Sequence, residues 1–182
     1  IWSGREVDRA KSACTFCDTD FVGTDGEGGG RFRTAKDLAN RIAEVWYENV
    51  VSDSEPIYVV FTGGEPALQL DDKLVDACHE LNMEIAVETN GTRRLPAKID
   101  WICVSPKPGP NLVIQKGHEL KLVYPQTALQ PEDLASLDFE HFFLQPMDGV
   151  HQLQNTQACI AYCHAHPRWR LSLQTHKLIG IP

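Results

Sequence analysis

Ile57-Tyr58-Val59-Val60-Phe61-Thr62-Gly63-Gly64-Glu65-Pro66 decides how this chain folds. Five consecutive apolar residues, ended by two glycines, a carboxylate and a proline, read as a strand that runs straight into a tight turn. A strand that is apolar throughout, instead of alternating, is the kind found in a parallel sheet covered by helices on one side and filled by core or ligand on the other. Downstream, Leu68, Leu74, Val75, Cys78 and Leu81 form a helical stripe, and Ile85-Ala86-Val87 forms a second short strand. Trp101 to Val104, Leu120 to Tyr124, Phe142 to Leu144 and Leu171 to Leu173 read as further strands, with a helix between Gln152 and Ala165. Upstream, Thr34 is placed to cap a helix that has Asp37 in its first turn and Leu38, Ile42, Val45 and Asn49 on one face. The glycine-rich segment Val22 to Arg33 reads as a mobile loop or lid, without the Lys-Ser or Lys-Thr ending of a phosphate-binding loop.

This βα alternation predicts an α/β fold with a parallel sheet. The strand ends carry the rest of the reading. Thr62-Gly63-Gly64-Glu65, Glu88-Thr89-Asn90-Gly91, Ser105-Pro106-Lys107, Gln145-Pro146-Met147 and Gln174-Thr175-His176 are polar, and each follows an apolar strand. In a parallel barrel such ends converge on one face, where ligands bind. A doubly wound sheet is the competing architecture, but its switch-point crevice draws on only a few strand ends. The expected fold is therefore a partial, open parallel β/α barrel.

The 182 residues suffice for one domain, taken here as 1–182, with no linker-like composition inside it. The net charge of −8 and a pI near 5.3 argue against a surface built to grip nucleic acid or an anionic membrane. No apolar run approaches the roughly 20 residues of a membrane span, so a cytoplasmic protein with small ligands is expected. The sequence begins at Ile1, and Trp2-Ser3-Gly4-Arg5 reads like the inside of a loop, so further residues are expected upstream.

Cys14-Thr15-Phe16-Cys17-Asp18-Thr19 places two thiols so that both can bind one soft metal centre. Taken alone, the pair fits an iron–sulfur cluster, zinc or a redox role. Cys78, Cys103, Cys159 and Cys163 read as buried small apolar residues; the last two share a helix face but have no further ligand beside them.

Cys14-x-Phe16-Cys17, Gly63-Gly64-Glu65-Pro66 after the next strand and Glu88-Thr89-Asn90-Gly91 after the following one occur in the order seen in the radical S-adenosylmethionine superfamily, which this chain resembles. Over nearly its whole length it is similar to the 7-carboxy-7-deazaguanine synthase family, on the strength of Cys17-Asp18-Thr19, Phe61 to Pro66, Glu88 to Gly91, Ser105-Pro106-Lys107, Glu119-Leu120-Lys121 and Leu144-Gln145-Pro146. Some members of that family carry a long insertion between the first and second cluster cysteines. Residues 1–13 resemble it, which puts the expected first cysteine just before Ile1.

The resemblance implies a shortened radical S-adenosylmethionine domain with a [4Fe-4S] cluster bound by Cys14 and Cys17, S-adenosylmethionine on its open iron, and Mg2+ on Thr19. It assigns Phe16, Gly63, Gly64, Glu65, Glu88, Asn90, Ser105, Lys107 and Gln145 to S-adenosylmethionine. Thr62, Gly64, Ser105, His176 and the terminal carboxylate of Pro182 fall to the substrate. The implied reaction is carbon–nitrogen lyase chemistry: a 5′-deoxyadenosyl radical takes hydrogen from C6 of 6-carboxy-5,6,7,8-tetrahydropterin, whose ring contracts with loss of ammonia to 7-carboxy-7-deazaguanine for queuosine and related 7-deazapurines. No side chain acts as a nucleophile. A low-potential electron donor such as flavodoxin and a homodimer are further implications. Two rival readings are a glycyl-radical activating enzyme and a zinc-stabilised binding domain.

Overall fold

The structure is a computed structural model and describes residues 6–9, 23, 24, 26, 29–50 and 55–180. Along the chain these form helix α1 (Glu6–Arg9), α2 (Ala35–Asn49), strand β1 (Ile57–Phe61), a 3-10 turn (Pro66–Leu68), α3 (Asp72–Glu80), β2 (Met83–Thr89), β3 (Trp101–Val104) and β4 (Lys116–Tyr124). After these come α4 (Pro131–Leu134), β5 (Asp138–Pro146), α5 (Gln152–Ala165), β6 (Trp169–Leu171) and α6 (Thr175–Ile179). Helix α2 begins where the Thr34 and Asp37 pattern places it. Thr34 Oγ1 accepts the Asp37 N–H at 3.1 Å and Asp37 Oδ2 accepts the Thr34 N–H at 3.1 Å. This reciprocal cap is worth about 1 kcal/mol.

All six strands are parallel and lie in the order β1-β2-β3-β4-β5-β6. Sequential order throughout means that the sheet winds one way and never reverses, which excludes the doubly wound alternative. The result is an open barrel wall in which, among the described residues, β1 and β6 are the edge strands. Its outer face is the dry one: Ile57, Ile85 and Val87 pack with Leu74, Val75 and Cys78 of α3 and Ala39 of α2. Val104, Leu120, Leu122, Phe142, Leu144 and Trp169 pack with Cys159 of α5. Side chains alternate across a strand, so the residues between these point to the inner face.

That inner face is more polar than an apolar β1 suggests. Tyr58 and Val60 are 46% exposed there. Glu84, Glu88, Glu119 and Lys121 interrupt the apolar character of β2 and β4. Strand β6 starts two residues earlier than the Leu171 to Leu173 pattern indicates, because Trp169 pairs with Phe142 and is buried, while Leu173 stands exposed. The polar end Gln174-Thr175-His176 consequently does not close a strand. His176 lies on α6, three residues of coil beyond β6. Among the described residues, no helix is long and apolar enough to cross a membrane.

Candidate active site

Parallel pairing carries the C-terminal ends of all strands to one edge of the wall, and the loops there are bonded to one another. Gly63 has φ +104°, a conformation that side chains rarely adopt, and none of the described residues lies within 4 Å of the position a Cβ would take. The turn thus needs glycine for its backbone, and the space above it is open. Two residues on, Glu65 is 6% exposed and its carboxylate accepts from the Ala67 N–H (3.1 Å), the Thr89 hydroxyl (2.6 Å) and the Asn90 N–H (2.8 Å). Three donors offset the desolvation of a buried carboxylate. Glu65 therefore caps the 3-10 turn and fastens the loop after β1 to the end of β2.

The same kind of fastening continues around the edge. The Thr89 hydroxyl accepts the Gly91 N–H at 3.1 Å, and Asn90 Oδ1 accepts the Thr92 N–H at 2.9 Å. Gly91, at φ +75°, has Leu112 Cδ1 and Val104 Cγ1 at 2.6 and 2.7 Å from where a Cβ would stand. The Ser105 N–H donates to the Thr89 carbonyl at 2.7 Å, extending the β2–β3 ladder. Lys107 Nζ folds back onto Ser105, donating to its Oγ at 2.7 Å and its carbonyl at 3.0 Å.

Thr62, Gly63, Gly64, Glu65, Glu88, Asn90, Ser105 and Lys107 are thus gathered at the ends of the adjacent strands β1, β2 and β3. Gln145 is half-buried two strands further on, in register with Val123. His176 is exposed on α6, which Lys177 ties to Asp148 at 2.5 Å. Cys14, Phe16, Cys17, Thr19 and Pro182 lie outside the described residues, as do Val22, Asp25, Glu27 and Gly28 of the predicted lid at 22–33.

Below the edge, the inner face holds a charged cluster. Lys121 Nζ donates to Glu88 Oε1 at 2.6 Å, and Trp101 Nε1 donates to Glu119 Oε1 at 2.8 Å. Trp101 stacks on His118 with ring centres 4.6 Å apart. Burial pushes the Cys103 thiol up to about 12, so it remains protonated and neutral between the charges. Cys78 and Cys159 are likewise raised by burial, to about 11 and about 12, as suits small core residues. Among the described residues, no group of three or more His, Cys, Asp or Glu side chains is arranged to hold a metal ion.

These strand-end loops are legible in the sequence, whereas the roles of Thr89 and Lys121 emerge only from the fold. The available signal for Lys121 was charge within an apolar strand, Glu119-Leu120-Lys121-Leu122.

No family model matches the chain. Individual relatives do. All 182 residues align with 7-carboxy-7-deazaguanine synthase of Bordetella pertussis at 59% identity and of Caulobacter vibrioides at 58%, spanning 85% of each relative. The chain belongs to the 7-carboxy-7-deazaguanine synthase family. Nitratidesulfovibrio vulgaris has a more distant synthase, 51% identical over 185 aligned positions and again covered to 85%. Among solved structures, the crystal structure of QueE from Escherichia coli matches with a TM-score of 0.58 at 27% identity, over 77% of this chain and 63% of that one.

The synthase family consists of radical S-adenosylmethionine enzymes, so S-adenosylmethionine and an iron–sulfur cluster are the cofactors this fold serves. The described edge fits the first of these. Gly63 leaves open space above its backbone, and the Glu88 side chain is 41% exposed beside it on β2. For the cluster, the two soft thiols of Cys14 and Cys17 are the appropriate donor type.

Proposed function

We propose that this chain converts 6-carboxy-5,6,7,8-tetrahydropterin to 7-carboxy-7-deazaguanine by radical ring contraction with loss of ammonia, supplying 7-deazapurine pathways such as that of queuosine. The observation that carries this reading is 59% identity to a 7-carboxy-7-deazaguanine synthase along the whole chain. When bound, the cluster and S-adenosylmethionine supply one-electron reduction and hydrogen abstraction; the protein has to bind, orient and shield.

The turn at Gly63 and Gly64 offers backbone groups to the methionine end of S-adenosylmethionine, because no side chain of the described residues stands over Gly63. Glu88 and Asn90 serve the ribose, and Ser105, with Lys107 folded onto it, and Gln145 add polar contacts from neighbouring strands. Glu65 contributes by holding the β1 and β2 loops in register, since three internal donors occupy its carboxylate. Cys14 and Cys17 hold the cluster, with Phe16 near the adenine. Thr19 provides a hard oxygen to Mg2+, which suits that ion's octahedral preference and orients the substrate carboxylate. Thr62, Gly64, Ser105, His176 and Pro182 meet the pterin. A single domain over 1–182, a homodimer, a low-potential donor of the flavodoxin type and a cytoplasmic location complete the proposal.

The test is anaerobic incubation of full-length, cluster-loaded enzyme with the pterin, S-adenosylmethionine, Mg2+ and a low-potential reductant. 7-Carboxy-7-deazaguanine is expected. Cys17→Ala should lose the product together with bound iron and sulfide, and a Cys17→Ala enzyme that keeps its full cluster would contradict the ligand assignment.

A further inference from the structure

The Glu88–Lys121 pair crosses an intervening strand. Glu88 on β2 stands in register with Cys103 on β3, and Cys103 with Glu119 on β4. Lys121 is the next inward-facing residue of β4 toward the C-terminal edge. Two strand spacings separate β2 from β4, roughly 9.5 Å. A hydrogen-bonded ion pair at 2.6 Å over that span needs a long side chain on one side and a small one between. Lysine and Cys103 meet both needs. The second nearby carboxylate, Glu119, is drawn aside by the Trp101 Nε1–H at 2.8 Å. Lys121 is also well sheltered, at 16% side-chain exposure, while Glu88 is 41% exposed. Burial alone lowers the Lys121 pKa, but the groups around it, with the Glu88 carboxylate bonded to its ammonium, more than reverse this, so the ammonium keeps its charge.

We infer that Lys121 is a positioning residue for cofactor recognition: its ammonium clamps one oxygen of Glu88 and so fixes the carboxylate in the orientation that receives the ribose hydroxyls of S-adenosylmethionine. A glutamate at a strand end otherwise samples many rotamers and loses that freedom on binding, so clamping it beforehand favours the bound state. This inference rests on the reading that Glu88 meets the ribose.

The experiment measures equilibrium dissociation constants of the cluster-loaded protein for S-adenosylmethionine and its 2′,3′-dideoxy analogue. Wild-type protein should prefer the natural cofactor by about ten- to hundredfold, the range of a charge-assisted hydrogen bond. Glu88→Gln should lose most of that preference, and Lys121→Met should lose it to a similar extent. The double variant Glu88→Gln/Lys121→Met, which leaves no unpaired charge of this pair and so guards against misfolding, should lose no more than either single variant. If Lys121→Met keeps the full preference while Glu88→Gln loses it, the clamp is refuted and the ribose reading stands. If Glu88→Gln keeps it, the ribose reading itself fails and the clamp with it.

Discussion

The hydroxyl of Thr89 donates to the carboxylate of Glu65 at 2.6 Å, so the last residue of β2 is bonded to the loop that follows β1. Oε1 takes that hydroxyl and the Ala67 N–H, and Oε2 takes the Asn90 N–H, so both oxygens must act as acceptors. Glu65→Gln places an amide donor against one of these donors. It should destabilise the protein by about 2–3 kcal/mol and weaken S-adenosylmethionine binding, as read from denaturant unfolding and equilibrium binding. A fully stable variant would show that the two loops are held by other means.

The two positive-φ glycines at this edge should respond differently to alanine. Gly63 has open space around the missing Cβ, so Gly63→Ala costs only backbone strain, about 1–2 kcal/mol. Gly91→Ala adds a collision with Leu112 and Val104, and about 2–4 kcal/mol is expected. Cofactor affinity should rank the other way relative to stability: Gly63→Ala should lose more binding for each kcal/mol of stability lost, because its methyl group occupies the open space assigned to the cofactor.

Stability toward acid should depend on Asp100. Burial alone raises its pKa, but the hydrogen bond from His79 (2.9 Å), the Ile85 N–H (2.8 Å) and the His79 charge more than reverse this, so the folded pKa is lowered. The unfolded chain then takes up this proton more readily, at about pH 3.9. The contribution is present above that pH and is lost as pH falls through the lower folded value. Solvent screening keeps it small, since the side chain is 40% exposed. Melting curves from pH 6 to pH 3 should show a shallower acid decline for Asp100→Asn than for wild type.

Thr19→Val keeps the size of the side chain and removes its oxygen. The cluster should assemble normally, and turnover should require much more Mg2+ or be lost. An unchanged Mg2+ titration would remove Thr19 from the metal site.

Where local chemistry decides structure, the sequence was a good guide. The Ile57 to Phe61 run is β1, Gln152 to Ala165 is α5, and Thr34 with Asp37 caps α2, because each depends on residues within a few positions of one another. The alternation of Leu171 and Leu173 places β6 two residues late, because its pairing begins where Trp169 fills the core beside Phe142. Which strand-end groups face a ligand was less legible still. The sequence offers Glu65 and Glu88 as equivalent carboxylates, and only tertiary structure turns the first inward onto three donors and leaves the second on the open face. Lys121 lies 33 residues from Glu88, and their pairing depends on the register of three strands, which no local pattern encodes.

The central claim, a pterin-directed radical enzyme, is tested most directly by following one hydrogen atom. Full-length, cluster-loaded enzyme is given 6-carboxytetrahydropterin deuterated at C6, and 5′-deoxyadenosine is analysed by mass spectrometry. Deuterium is predicted to appear in 5′-deoxyadenosine alongside formation of 7-carboxy-7-deazaguanine. Cleavage of S-adenosylmethionine without deuterium in 5′-deoxyadenosine would contradict it.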